Sequence, residues 1–286
     1  MRSILRPSAA LLALALVVPR AGEAQQAPAA ASAVAPPPPP ADPVPPHDSL
    51  VVASAALGES RRINVWVPPA ARAPGAARVP VLYMPDGGLH EDFPHVVATV
   101  DSLIAAGAIR PVLVVGIPNT ERRRDLTGPT RVAADSAIAP RVGGSAAFRR
   151  FVRDELLPAI AARYPVTEER AIIGESLAGL FVVETLLEEP ALFDHYVALD
   201  PSLWWNAGAL LDAVPARLAR LDRRPRTLHL ASSGEPEIAR DAARLAALLR
   251  AAQPAGLRWT YEPRPDLTHA TIFRATKAAA LAAALR

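Results

Sequence analysis

Cysteine is absent from all 286 residues, which excludes thiol catalysis, disulfide stapling, Cys-ligated zinc, iron–sulfur clusters and lipid attachment at an N-terminal cysteine. Any nucleophile is therefore an oxygen or a nitrogen. Lysine is nearly absent too: of 31 basic residues only Lys277 is a lysine, and against 28 acidic residues the formal net charge is +3. Asp and Glu are interspersed among the arginines with no long run of one sign, so the chain lacks the clustered basic surface that nucleic-acid binding requires. Long hydrophobic runs are also missing. The apolar stretch Ala9–Val18 is about half of the ~20 residues needed to span a bilayer. What is present is ample core material, 51% hydrophobic against 21% charged residues, which rules out disorder of the whole chain and provides for one large domain or two small ones.

Arg2 and Arg6 precede Ala9–Val18, and Gly22-Glu23-Ala24 follows as a small-x-small cleavage pattern. This reads as a secretory signal over residues 1–24, giving an exported protein with no stable membrane span after cleavage. Residues 25–46 hold Pro28, Pro36–Pro40, Pro43, Pro45 and Pro46 among alanines, a composition that favours polyproline II and cannot build a core. They are expected to be a linker to one catalytic domain over residues 47–286.

Within that domain Leu50–Val52 and Arg62–Val67 read as an antiparallel strand pair leading into strand Val79–Met84. Strand-length apolar runs at Val112–Ile117, Ala171–Gly174, Tyr196–Leu199, Thr227–Ala231 and Leu257–Tyr261 then alternate with helical periodicity at Ser145–Tyr164, Leu177–Glu188, Ala207–Leu221, Ile238–Ala251 and Thr271–Leu285. Pro158 is expected to kink the first of these helices. The pattern predicts an α/β fold with a mostly parallel sheet and helices on both faces, whose functional residues gather at the carboxyl ends of strands. A 27-residue stretch without periodicity, Pro118–Gly144, carries Arg122, Arg123, Arg124 and Asp125; loops this long are functional or disordered.

The chemistry centres on Gly174-Glu175-Ser176-Leu177-Ala178, where an apolar strand passes directly into an apolar helix. A serine on that turn needs small residues two before and two after it, here Gly174 and Ala178. Its hydroxyl needs a base oriented by a third group. Of six histidines, His269 alone follows the final strand of the sheet and is the expected base. For the acid, Glu237 is preferred to Glu235, both following strand Thr227–Ala231, and to Asp266; the alternative for either glutamate is stabilisation of a helix N-terminus. The glycines after Val79–Met84 place the amide of Gly88, with that of Leu177, as expected oxyanion donors. No metal or organic cofactor is required.

These residues resemble the putative-esterase branch of the α/β-hydrolases, which includes enterobactin-type siderophore esterases, S-formylglutathione hydrolases, feruloyl esterases and mycolyltransferases. The likeness spans nearly all of residues 48–286. It rests on Tyr83-Met84-Pro85-Asp86-Gly87, Gly116-Ile117-Pro118-Asn119-Thr120, Arg124-Asp125-Leu126-Thr127, the Ser176 segment, Asp200-Pro201-Ser202-Leu203-Trp204-Trp205-Asn206 and His269-Ala270-Thr271. The resemblance implies the α/β-hydrolase fold, Ser176 as nucleophile, His269 as base, Glu237 as acid, and Gly88 and Leu177 as oxyanion donors. Ala178 in place of glycine and glutamate in place of aspartate are departures. One of Trp204 and Trp205 is expected in the core and the other against an aromatic acyl or catecholate group, while Arg122 and Arg124 are candidates to bind an anionic substrate. The implied activity is ester hydrolysis of a small molecule, on the side of siderophore lactones. An acyltransferase using the same site and a non-catalytic binding homologue are the alternatives.

Overall fold

The computed structural model describes residues 42–286. The expected signal, and the linker up to residue 41, lie outside the described residues. The described residues cluster as one unit. Its eight strands are β1 (Asp48–Ser54), β2 (Glu59–Trp66), β3 (Val79–Pro85), β4 (Leu113–Ile117), β5 (Val166–Glu175), β6 (His195–Leu199), β7 (Arg226–Ser232) and β8 (Leu257–Pro263). They form a single sheet in the order β1-β2-β4-β3-β5-β6-β7-β8. The β1–β2 and β2–β4 pairs are antiparallel and every other pair is parallel. The mostly parallel sheet with an antiparallel entry is what the run of elements predicts, and it has the α/β-hydrolase arrangement that the resemblance implies.

Strand β3 is buried from end to end, as a central parallel strand covered on both faces must be. Its alternating side chains feed two cores: Val81 and Tyr83 join one cluster, Leu82 and Met84 the other. The first core packs under α4 (Ser145–Phe151), α6 (Leu177–Glu188) and α8 (Pro236–Ala252), and the second under α1 (Phe93–Ala105) and α9 (His269–Ala284). Helix α6 buries ten of its twelve residues, so it is apolar all round rather than amphipathic.

Three local features differ from the sequence expectation. Helix α1, between β3 and β4, has no counterpart among the predicted elements. The stretch 118–144 contains two short helices, α2 (Arg122–Leu126) and α3 (Ala133–Ala137). At Pro158 the expected kink becomes a π-turn over Val152–Leu156, after which α5 (Leu157–Arg163) takes the proline at its first turn. The turn widens just before the proline, with the Leu157 N–H donating back to the Val152 carbonyl, and the proline, which has no N–H to donate, falls at the start of the helix that follows. Helix α7 (Ala209–Leu218) follows β6.

Candidate active site

Three neighbouring strands end in a residue with positive φ: Asp86 after β3 (φ 54°), Ser176 after β5 (φ 60°) and Asp200 after β6 (φ 50°). Such backbone is costly for any side chain except glycine and is held only where the surroundings impose it. Ser176 has φ 60° and ψ −122° between strand and helix, which lifts its side chain out of the sheet. The turn closes because position 174 lacks a side chain: a Cβ there would lie 2.6 Å from the backbone carbon and oxygen of Ala178. The Ser176 amide donates to the Leu199 carbonyl (3.1 Å), and the Ser202 amide donates to the Ser176 carbonyl (3.0 Å).

Register brings the next member of the site alongside. Glu175 pairs with Leu199 across β5 and β6, so Ser176 and Asp200 are the next positions on adjacent strands, about 5 Å apart. His269 opens α9, where a reciprocal capping box between Thr268 and Thr271 sets the entry of the helix. Its Nε2 lies 3.1 Å from Ser176 Oγ and its Nδ1 lies 2.6 Å from Asp200 Oδ2. Asp200 is fully buried and also accepts from the Ser233 amide (2.5 Å) and hydroxyl (2.9 Å). The hydrogen bond to Asp200 is the main cause holding the His269 imidazole above its usual pKa, against desolvation that lowers it. Two further groups approach: Glu175 Oε1 stands 3.4 Å from His269 Nδ1, and Ser202 Oγ stands 3.4 Å from Ser176 Oγ.

The structure thus joins Ser176 to His269 but puts Asp200, not Glu237, behind the histidine. Glu237 sits in the first turn of α8 with its side chain 66% exposed, 3.8 Å from Arg240. It is the helix-terminal glutamate of the alternative reading. Glu235 is the N-cap residue of the same helix, and Asp266 pairs with Arg264. Asp200 and Ser202 were missed as site residues. The signal was the abrupt end of the apolar strand Tyr196–Leu199 in an aspartate beside the serine strand.

A family model described as "Putative esterase" matches residues 54–257. The chain belongs to that esterase family. Among curated relatives, this chain is 30% identical over 173 residues to the ferri-bacillibactin esterase BesA of Bacillus subtilis, covering 54% of this chain and 58% of the relative. It is 35% identical over 125 residues to a siderophore triacetylfusarinine C esterase of Aspergillus fumigatus, covering 40% of each. The chain spans about half the length of these relatives. A solved IroE-like serine hydrolase from Shewanella oneidensis superposes with a TM-score of 0.71 at 26% identity, over 78% of this chain and 75% of that one.

Leu177 opens α6, so its N–H is among the first-turn donors without an intrahelical acceptor. The Gly88 N–H, in contrast, donates to Glu91 Oε2 at 2.6 Å. Arg122 is bidentate to Asp86 (2.7 and 2.8 Å), whose carboxylate also accepts from Asn119 at 2.5 Å. This clamp holds the strained end of β3. Arg124 is 11% exposed and shared among Glu59, Glu121 and Asp125, so its guanidinium is committed inside the fold rather than offered to substrate. The Glu59 carboxylate is held at about 2, chiefly by its hydrogen bond from Arg124. A cavity of about 650 Å³ lies over this segment, lined by Arg122, Arg123, Arg124 and Arg141. Trp205 is the core tryptophan, its indole N–H donating to the Gly128 carbonyl at 2.8 Å. Trp204 is half-buried and lines a separate cavity with Glu237, Arg240 and Arg244.

Proposed function

We propose that this chain is an exported serine carboxylic-ester hydrolase that works through an acyl-enzyme on siderophore-type lactone esters. The observation that carries the catalytic reading is His269 bridging Ser176 Oγ and Asp200 Oδ2 by its two ring nitrogens. In that arrangement Nδ1–H points at Asp200, leaving Nε2 as the acceptor for the serine proton. Ser176 attacks the ester carbonyl as His269 takes its proton. The Leu177 amide donates to the developing oxyanion, and the Gly88 amide joins it once Glu91 withdraws. His269 then protonates the leaving alcohol, and water attacks the acyl-enzyme by the same route.

The siderophore assignment is supported by the activities of the relatives, two of which are siderophore esterases. Export is supported by the basic, apolar and small-residue pattern of residues 1–24. The test is stopped-flow release of p-nitrophenol from p-nitrophenyl acetate with wild type and Ser176→Ala. A stoichiometric burst abolished by Ser176→Ala is the expected result; a folded Ser176→Ala with full turnover overturns the reading. Turnover of a catecholate trilactone in preference to acetyl and feruloyl esters is expected for the substrate, and turnover of simple acetyl esters alone rejects it.

A further inference from the structure

His269 Nδ1 faces two carboxylates, and the catalytic scheme uses only one. Its single proton goes to Asp200 at 2.6 Å, the shorter contact. Asp200 accepts that bond and two more from Ser233. Glu175 Oε1 is 3.4 Å from the same nitrogen, and its side chain is only 16% exposed. Next to the nucleophile in sequence, it sits where any neutral side chain would meet the packing demand at lower desolvation cost. A half-buried carboxylate beside an imidazole is instead placed to act on the charge that appears there.

We infer that Glu175 is a positioning residue whose carboxylate, seated against His269 Nδ1 beside Asp200, stabilises the imidazolium formed when Ser176 gives up its proton. The inference rests on the serine-hydrolase reading above. The proton moves from Ser176 Oγ to His269 Nε2, Nδ1–H stays directed at Asp200, and Glu175 exchanges no proton in the step. It supplies a second negative charge through space, in a setting where water screens it poorly. The charged groups acting on Glu175 come from four elements: His269 on α9, Arg122 on α2, Asp92 ahead of α1 and Asp200 after β6. His269 also feels Glu235. Burial, the largest influence, pushes the Glu175 carboxyl up to about 7, with His269 and Arg122 opposing. Each of the two groups acts on the ionisation of the other, so they titrate as a coupled pair.

The experiment measures kcat and KM for p-nitrophenyl acetate from pH 5 to 9 with wild type, Glu175→Gln, Glu175→Asp and Ser176→Ala. Removing the charge lowers the basicity of His269. Glu175→Gln is expected to shift the acid limb of kcat/KM to lower pH by roughly one unit and to reduce plateau kcat roughly tenfold, with KM within about twofold of wild type. Glu175→Asp keeps the charge one methylene further away and is expected to fall between the two. If Glu175→Gln does not fold, an acid limb for Glu175→Asp identical to wild type overturns the inference. A fall in kcat with the acid limb unmoved also overturns it, since that is the mark of packing alone. An active Ser176→Ala removes the underlying catalytic reading instead, whereas an inactive Ser176→Ala with a wild-type limb in Glu175→Gln removes only this inference.

Discussion

Asp200 is the residue on which the proposed chemistry turns. Its carboxylate is buried, receives two donors from Ser233 and fixes the ring of His269. Asp200→Asn keeps the shape but offers a donor or a neutral oxygen to Nδ1, so the proton distribution on the imidazole changes. We expect kcat to fall by roughly three orders of magnitude or more with KM little altered, whereas Glu237→Gln, on the exposed turn of α8, is expected to match wild type. Steady-state kinetics on the two variants separates them; equal losses would contradict the assignment. Ser176 and His269 were legible in the sequence because each sits alone at a strand end, one in a small-x-Ser-x-small turn and the other after the last strand. The acid was not, because two glutamates and an aspartate followed later strands, while the aspartate ending strand Tyr196–Leu199 gains its meaning from the Glu175–Leu199 register, a relation between strands that no single segment displays.

At the level of elements, the turn between β5 and α6 stores strain for the sake of placement. Ser176→Gly removes the Cβ that makes φ 60° costly, a cost of about 1–3 kcal/mol, so turnover is expected to vanish while stability in urea is unchanged or higher. Gly174→Ala is expected to act in the opposite sense, because its methyl would meet Ala178 backbone at 2.6 Å; overpacking of this kind costs about 1–3 kcal/mol or more. Equilibrium urea unfolding of both variants checks the pair, and a stable Gly174→Ala would contradict the steric account of the elbow. The strands and five longer helices were legible from periodicity. Helix α1 was not, although Phe93, Val96, Val97 and Val100 line one buried stripe, because its valines favour strand locally. The parallel pairing of β3 with β4 demands such a crossover, a topological constraint stronger than local propensity. The short helices α2 and α3 are held by ion pairs and loop contacts, which leave no periodic trace.

For the molecule as a whole, two site groups link stability to pH in the same direction. Glu175 is raised by burial from 4.5 to about 7, and His269 is raised from 6.5 mainly by Asp200. In both the folded state holds a proton more tightly than the unfolded chain, so their stabilisation is full below the unfolded pKa and is lost as pH rises through the folded one. Glu59 is lowered from 4.5 to about 2 by Arg124 and works oppositely, its contribution being present above 4.5 and lost as pH falls toward 2. Melting temperature is therefore expected to be highest near pH 4.5 and to decline from there through about pH 7, and Glu175→Gln is expected to flatten that decline. Thermal scans from pH 3 to 9 check this. The central claim, that Ser176 is acylated with His269 and Asp200 behind it, is tested most directly by the intact mass of the protein caught during the p-nitrophenyl acetate burst. The account predicts a single acetyl adduct on Ser176, formed far more slowly in Asp200→Asn and absent from Ser176→Ala. Ester turnover without any such adduct, or an adduct that persists in Ser176→Ala, would contradict it.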